Sequence, residues 1–242
     1  MGIITVFQRV EKKYPITLER RDAFLAEIRD RLEPDAYGKS TVCSLYLDTP
    51  DRRIIRESVD AKGFDKPAYK EKLRLRSYGT PDPDTRVFLE IKKKYKGVVY
   101  KRRVVLPHQK AVDYLAGGEK PLASQIMDEI DWAFRFYETL RPSMLIACER
   151  EAYTLKENPR LRITFDTSVR YRETDLDLSK GHEGILLLPE DRVLMEVKTE
   201  GAMPLWLAHA LDRHEIYPGS FSKYGTAYLK TLRESRNNKE GN

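Results

Sequence analysis

Tyr69-Lys70-Glu71-Lys72-Leu73-Arg74-Leu75-Arg76-Ser77-Tyr78 is the stretch on which the fold turns. Strand side chains alternate between two faces, so Lys72, Arg74 and Arg76 share one face and Leu73 and Leu75 the other. A single strand of this kind reads as a sheet with a wet outside. The pattern recurs, however. Glu90, Lys92 and Lys94 stand against Leu89 and Ile91, and Lys101 and Arg103 alternate on the following run. Arg9, Glu11 and Lys13 do the same near the start, as do Arg160, Arg162 and Asp166, and Glu196 and Lys198 against Met195 and Val197. Like charges on neighbouring strands repel. Such rows are tolerated when an anion fills the space between them and the apolar alternates pack against helices outside. The expected fold is α+β: an antiparallel tunnel barrel of eight or nine strands with flanking helices, with room for a narrow ligand chain.

Outward from this stretch, strands are expected at 3–14 (ended by Pro15), 41–47, 86–94, 98–106, 143–155, 161–166, 169–172, 184–188 and 192–199. Helices are expected at 17–32, from Pro50 to about 60, and at 107–116, 121–140, 204–217 and 222–233. There is no internal repeat or long linker, so the reading is one domain over 1–236, with 237–242 as a frayed tail.

The chain has 242 residues, 40 % of them hydrophobic, which suffices for a real core and excludes a disordered chain. No apolar run approaches the roughly twenty residues of a spanning helix, and no leader pattern opens the sequence. No membrane segment and a cytoplasmic location are expected. Cys43 and Cys148 lie in apolar runs and read as buried thiols in a reducing compartment. The formal charge of +6 is uneven: residues 69–103 carry +8 and the remainder −2. Basicity this local points to one anionic ligand site.

Arginine-rich rows favour phosphate, which a guanidinium grips with a fork of charge-assisted hydrogen bonds. The interleaved Glu11, Glu90 and Glu196 would repel phosphate unless a divalent cation sat between, and Mg²⁺ or Mn²⁺ uses one or two carboxylates plus phosphate oxygens. No phosphate-cradling glycine loop, zinc-ligand spacing or nucleophile elbow is present. Nucleic acid is not expected, because a tunnel cannot admit a duplex and the aromatic signature of single-strand binders is missing. His108, His182, His209 and His214 have no ligand spacing. Trp132, Trp206, Phe134 and Phe136 read as packing. So do Tyr46, Tyr78, Tyr95 and Tyr100, with nucleobase stacking as the alternative, and Asp48 reads as the cap of the following turn.

Several motifs together resemble a known family: Arg9-Val-Glu11-Lys-Lys13-Tyr14, Tyr46-Leu-Asp48-Thr-Pro50, Lys72-Leu-Arg74-Leu-Arg76-Ser-Tyr78, Phe88-Leu-Glu90-Ile-Lys92, Arg150-Glu-Ala-Tyr153, Arg162-Ile-Thr-Phe-Asp166, Met195-Glu196-Val-Lys198 and Ser222-Lys223-Tyr224. In this order they resemble the polyphosphate polymerase (VTC) domain of the vacuolar transporter chaperone complex, in the triphosphate tunnel metalloenzyme superfamily. The resemblance implies transfer of the γ-phosphate of ATP to inorganic polyphosphate with Mn²⁺ or Mg²⁺. It implies a phosphate-binding lining of Lys13, Arg74, Arg76, Lys92, Arg150 and Lys198, with Lys223 and Ser222 closing on the phosphates. Glu196 resembles the metal-binding carboxylate, joined by Glu11 and Glu90. Arg9, Lys72, Lys94, Lys101, Arg103 and Arg162 fit the lining by alternation. The hydrolytic tunnel enzymes resemble one another in opening with Glu-x-Glu-x-Lys. Here the first acidic position is Arg9, which favours a polymerase over a tripolyphosphatase or nucleoside triphosphatase. An inactive polyphosphate-binding module is the non-enzyme alternative.

Overall fold

The computed structural model describes residues 10–59, 69–96 and 98–240, the last three by backbone alone. Among the described residues the strands are β1 (Val10–Thr17), β2 (Leu32–Asp48), β3 (Tyr69–Tyr78), β4 (Arg86–Tyr95), β5 (Val98–Pro107), β6 (Arg141–Leu155), β7 (Arg162–Arg172), β8 (Ile185–Leu186) and β9 (Arg192–Thr199). The helices are α1 (Leu18–Ile28), α2 (Arg53–Val59), α3 (His108–Leu115), α4 (Gln125–Tyr137), α5 (Leu205–Arg213) and α6 (Lys223–Glu240). The strands form one sheet in the order β1-β9-β7-β6-β2-β3-β4-β5, with β8 on β7. This is the nine-stranded antiparallel α+β architecture expected from the charge alternation, and β1 and β5 stand at the two ends of the order.

The chain divides into two compact units. The first comprises residues 1–40, 148–169 and 188–221; the second comprises 41–147, 170–187 and 222–242. Each has its own core. In the first, Tyr14 and Ile16 of β1, Ile163 and Phe165 of β7, and Met195 and Val197 of β9 pack with Phe24, Ile28 and Leu207 of the helices. In the second, Leu45 and Leu47 of β2, Leu73 and Leu75 of β3, Leu89 and Ile91 of β4, and Val104 and Leu106 of β5 pack with Met127, Ile130 and Ala133 of α4. The apolar alternates are thus the buried ones, each worth about 1.5–3 kcal/mol when fully covered. On β3 and β4 the charged alternates Lys72, Arg74, Arg76, Glu90 and Lys92 occupy the opposite face. Cys43 and Cys148 are buried and form no disulfide with each other. Local signals fix the helix starts: the Thr17 hydroxyl accepts from Arg20 N and the Ser124 hydroxyl from Met127 N. Asp48 caps α2 from six residues upstream, taking Ile54 N on Oδ1 at 2.9 Å and Ile55 N on Oδ2 at 3.0 Å.

Several expectations are corrected. β1 runs through Pro15 to Thr17, which is tolerated because β1 ends the strand order and need not donate from that position. Its carbonyl at Lys13 receives Gly219 N at 2.7 Å, and a side chain at 219 would sit 2.9 Å from the Pro15 ring. β2 starts at Leu32 instead of 41. β7 is one strand through Ser168, which takes a positive φ of 47°. α6 continues to Glu240 through most of the stretch read as a tail, since no glycine or proline interrupts it after Gly225 until Gly241. On α4, Met127, Ile130, Ala133 and Tyr137 fill the core, whereas Trp132 and Phe136 are half exposed and stack on each other at 4.9 Å. Tyr95 and Tyr100 are exposed near the β4–β5 turn.

Candidate functional site

In the second unit, strand register assembles the charged face into rows. Tyr46 of β2 is opposite Arg74 of β3, Arg74 opposite Glu90 of β4, and Glu90 opposite Arg103 of β5. One step along, Lys72, Lys92 and Lys101 lie in register on β3, β4 and β5. On the other side, Ser44 faces Arg76. Three lysines side by side on three strands is an arrangement that an isolated sheet does not favour.

Glu90 organises the centre of this face. It is only 1 % exposed. One carboxylate oxygen takes both Arg74 Nε at 2.8 Å and Nη2 at 2.7 Å, and the other takes Lys101 Nζ at 2.6 Å. Burial pushes its carboxyl up, but Arg74, Arg76 and Lys101 outweigh that and hold it down at about 2. Burial pulls Arg74 down, and the neighbouring Tyr46 and Glu90 more than reverse this, so its guanidinium stays charged. Lys101 goes the other way. Loss of water pulls its ammonium down to about 8 despite Glu90, with Arg74 and Arg76 adding repulsion. Arg76 Nε donates to Ser44 Oγ at 3.1 Å, and Lys72 Nζ donates to Ser222 Oγ at 2.8 Å, just before α6. Lys223 is the first residue of α6. Lys94 is exposed toward the hairpin end, and the Arg103 guanidinium lies 4.7 Å over the Phe88 ring.

The first unit carries a different pattern. On β1 and β9, Lys13 is opposite Glu196 and Glu11 is opposite Lys198. Lys198 Nζ reaches Glu196 at 2.9 Å and Glu11 at 3.8 Å, and Lys13 Nζ lies 3.7 Å from each of Glu11 and Glu196. Lys13 also donates to the Phe221 carbonyl at 2.9 Å. On β7, Thr164 continues the Lys13–Glu196 row, and Arg162 continues the Glu11–Lys198 row. Arg150 grips Asp166 with a fork, Nε to Oδ1 at 2.6 Å and Nη2 to Oδ2 at 2.7 Å, both side chains buried. Burial pulls its guanidinium down, and Asp166 carries it well above its usual value. Arg162 pairs with Asp35.

Arg9 lies outside the described residues. Glu11 and Glu196 belong to the first unit and Glu90 to the second. Glu11 and Glu196 share two lysines on adjacent strands, and two carboxylates completed by phosphate oxygens suit Mg²⁺ or Mn²⁺. Among the described residues no three His, Cys, Asp or Glu side chains gather around one point. The sequence reading gave no site role to Ser44, Asp35 or Thr164. Ser44 was legible, because it alternates with Cys43 and Leu45, which face the core. Asp35 sits in a stretch whose proline and glycine read as loop.

No curated protein matches the chain. Solved structures share its fold at low identity. A Bacillus halodurans protein provisionally described as an adenylate cyclase superposes with a TM-score of 0.53 at 13 % identity, covering 88 % of this chain and 93 % of that one. A Hippeastrum protein, described as a candidate adenylyl cyclase with a dominant triphosphatase activity, gives 0.52 at 16 % identity, covering 90 % and 93 %. No helix among the described residues is long and apolar enough to cross a membrane. The sequence model of the VTC domain matches residues 8–232, nearly the whole length, and the chain belongs to the VTC domain family.

Proposed function

We propose that this chain is a metal-dependent polyphosphate polymerase that transfers the γ-phosphate of ATP to an inorganic polyphosphate chain. The observation that carries the reading is the in-register row Lys72, Lys92 and Lys101 beside Arg74 and Arg76. A repulsive row of this kind is stabilised by a ligand with several adjacent negative charges, and a phosphate chain has them.

Phosphoryl transfer asks the protein mainly for position and charge neutralisation. In this reading Arg74 and Arg76 fork phosphate oxygens, with Lys72, Lys92, Lys101 and Arg103 supplying further cations. Glu90 aims Arg74 and Lys101. The family resemblance, with strand alternation for Arg162, gives phosphate-binding roles also to Lys13, Lys198, Arg150 and Arg162 of the first unit, and to Lys223 and Ser222 of the second. Glu196 with Glu11 would hold Mn²⁺ or Mg²⁺, which supplies charge neutralisation at the donor phosphates. The nucleophile is the terminal phosphate oxygen of the acceptor chain, already anionic, so no side chain has to take a proton from it. The VTC family membership and Arg9 at the first acidic position support polymerisation over hydrolysis.

The test is incubation with ATP, Mn²⁺ and a short polyphosphate primer, followed by a gel that resolves chain length. ADP appearing in step with chain growth, with little free phosphate, is the expected result. ADP and phosphate in equal amounts without polymer would make the protein a hydrolase. Binding without turnover would make it a polyphosphate-binding module.

A further inference from the structure

Tyr46 lies on the charged face of β2, in register with Arg74, while its neighbours Leu45 and Leu47 fill the core. Its ring stacks on Tyr224 of α6 at 4.5 Å with the planes 19° apart. Tyr224 is itself held, donating to Asp48 at 2.9 Å and lying 3.2 Å from Ser143 Oγ. The Tyr46 ring is thus packed against a neighbour that is itself held. Packing alone would be served equally well by phenylalanine. The hydroxyl is the part that needs a reason.

A guanidinium only donates hydrogen bonds. The contact from Arg74 Nη1 to Tyr46 Oη, at 3.2 Å, therefore uses the phenol as acceptor. The phenol's own O–H remains, and among the described residues it meets no acceptor. Tyr46 is only 6 % exposed. A buried donor left unused costs free energy. The other polar groups on this row, Arg74 and Arg103, only donate, and Glu90 is engaged across the row, with Arg74 on one carboxylate oxygen and Lys101 2.6 Å from the other. An incoming phosphate oxygen supplies the missing acceptor. We infer that Tyr46 is a substrate-binding residue, donating its O–H to an oxygen of the phosphate group that Arg74 holds. The inference rests on the phosphate-binding reading of the row above.

The surrounding charges favour this role. Burial pushes the phenol up, but Arg74, Lys72 and Arg76 outweigh it and bring it down to about 8. A phenol of this acidity remains mostly protonated at neutral pH and donates strongly. The charged and titratable groups around it are Lys72, Arg74 and Arg76 from β3, Glu90 from β4, Lys101 from β5, Asp48 from its own strand and Tyr224 from α6. A bound phosphate adds negative charge and must hold the proton on Tyr46 to higher pH.

The experiment uses the full chain, tripolyphosphate and ATP as separate metal-free ligands, and Tyr46→Phe, which keeps the ring stack. Wild type should bind, and Tyr46→Phe should bind about ten-fold more weakly with an unchanged melting temperature. The wild-type tyrosinate absorbance should show a step near pH 8 that the variant lacks, and either ligand should move that step upward. Equal affinity in the variant, or a step that ligand does not move, overturns the role of Tyr46 alone. Failure of wild type to bind either ligand overturns the phosphate-binding reading, and this inference with it. Should the variant fail to fold, the response of the wild-type step decides the matter.

Discussion

The two units answer the same problem, charge on one face of a sheet, in opposite ways. In the first, β1 and β9 form a checkerboard: Lys13 opposite Glu196, Glu11 opposite Lys198, with the buried Arg150 gripping Asp166 beside them. Each cation has a carboxylate within reach, and the unit neutralises itself. In the second, Lys72, Lys92 and Lys101 are aligned like with like, and Glu90 is the one carboxylate in the rows they share with Arg74, Arg76 and Arg103. That face carries more cations than carboxylates, with Arg74 and Lys101 both on Glu90 and Lys72 donating to Ser222. In the proposed function this difference divides the two tasks of phosphoryl transfer. There the lattice of carboxylates and lysines would take up a divalent cation, and the cation-rich rows a polyanion.

The largest effect should come from breaking the balance of the first unit. Arg150→Met removes the guanidinium fork from Asp166, which has no exposed surface, and removing one partner of a buried pair typically costs about 3–5 kcal/mol. Urea denaturation measures it, and a loss below 1 kcal/mol would mean the pair is not buried in solution. Next comes Glu196→Gln, which removes a negative charge. Metal-free polyphosphate binding should hold or tighten slightly, while turnover with Mn²⁺ falls by roughly 10²–10³-fold. Near-normal synthesis would remove Glu196 from the metal site.

Arg74→Ala attacks the second unit instead. A charge-assisted hydrogen bond is worth about 1.5–3 kcal/mol, so polyphosphate affinity should drop ten-fold or more by titration calorimetry. A smaller shift is expected with pH. Lys101 and Tyr46 both titrate at about 8 in the free protein, and a bound anion favours the protonated form of each. Binding should therefore take up protons at pH 8–9 and not at pH 6.5, seen as a dependence of binding heat on the buffer. Glu90 acts on stability with the opposite sign. Its carboxyl is held at about 2 against an ordinary 4.5, so its contribution is present above pH 4.5 and lost as pH falls through 2. Glu90→Gln should flatten the acid limb of stability in that window. The smallest effect belongs to a pair on the surface of the first unit. Lys39 meets Glu151 at 3.0 Å with 80 % of its side chain exposed, and Lys39→Ala should change stability by no more than about 0.5 kcal/mol.

Much of the fold was legible because alternation reports burial directly. Leu73, Leu75, Leu89, Ile91, Met195 and Val197 fill the cores, as their spacing predicts. What escaped was structure that carries no burial signal. The first half of β2 is mostly exposed and contains Pro34 and Gly38, the latter at φ 49°, so nothing in it reads as strand. Trp132 and Phe136 misled because helical spacing marks two faces alike, and the buried face of α4 is set by Met127, Ile130 and Ala133. For the candidate site, the sequence supplied the cations but not their partners. Asp35 for Arg162 and Asp166 for Arg150 meet only after folding, and so do Tyr46 and Tyr224, 178 positions apart in the chain.

The ends of the strand order bear on self-association. An end strand offers its unpaired main chain to any other copy, which is how sheets grow between molecules. At β1 the offer is withdrawn by the backbone itself: Pro15 has no N–H, and the Lys13 carbonyl is already taken by Gly219. At β5 the deterrent is electrostatic, through Lys101, Arg102 and Arg103 in succession. The two guards differ in their response to solution conditions. Salt or a polyanion weakens repulsion between copies at β5 and leaves Pro15 and the occupied Lys13 carbonyl at β1 untouched, so any filament or aggregate that polyphosphate induces should start from β5.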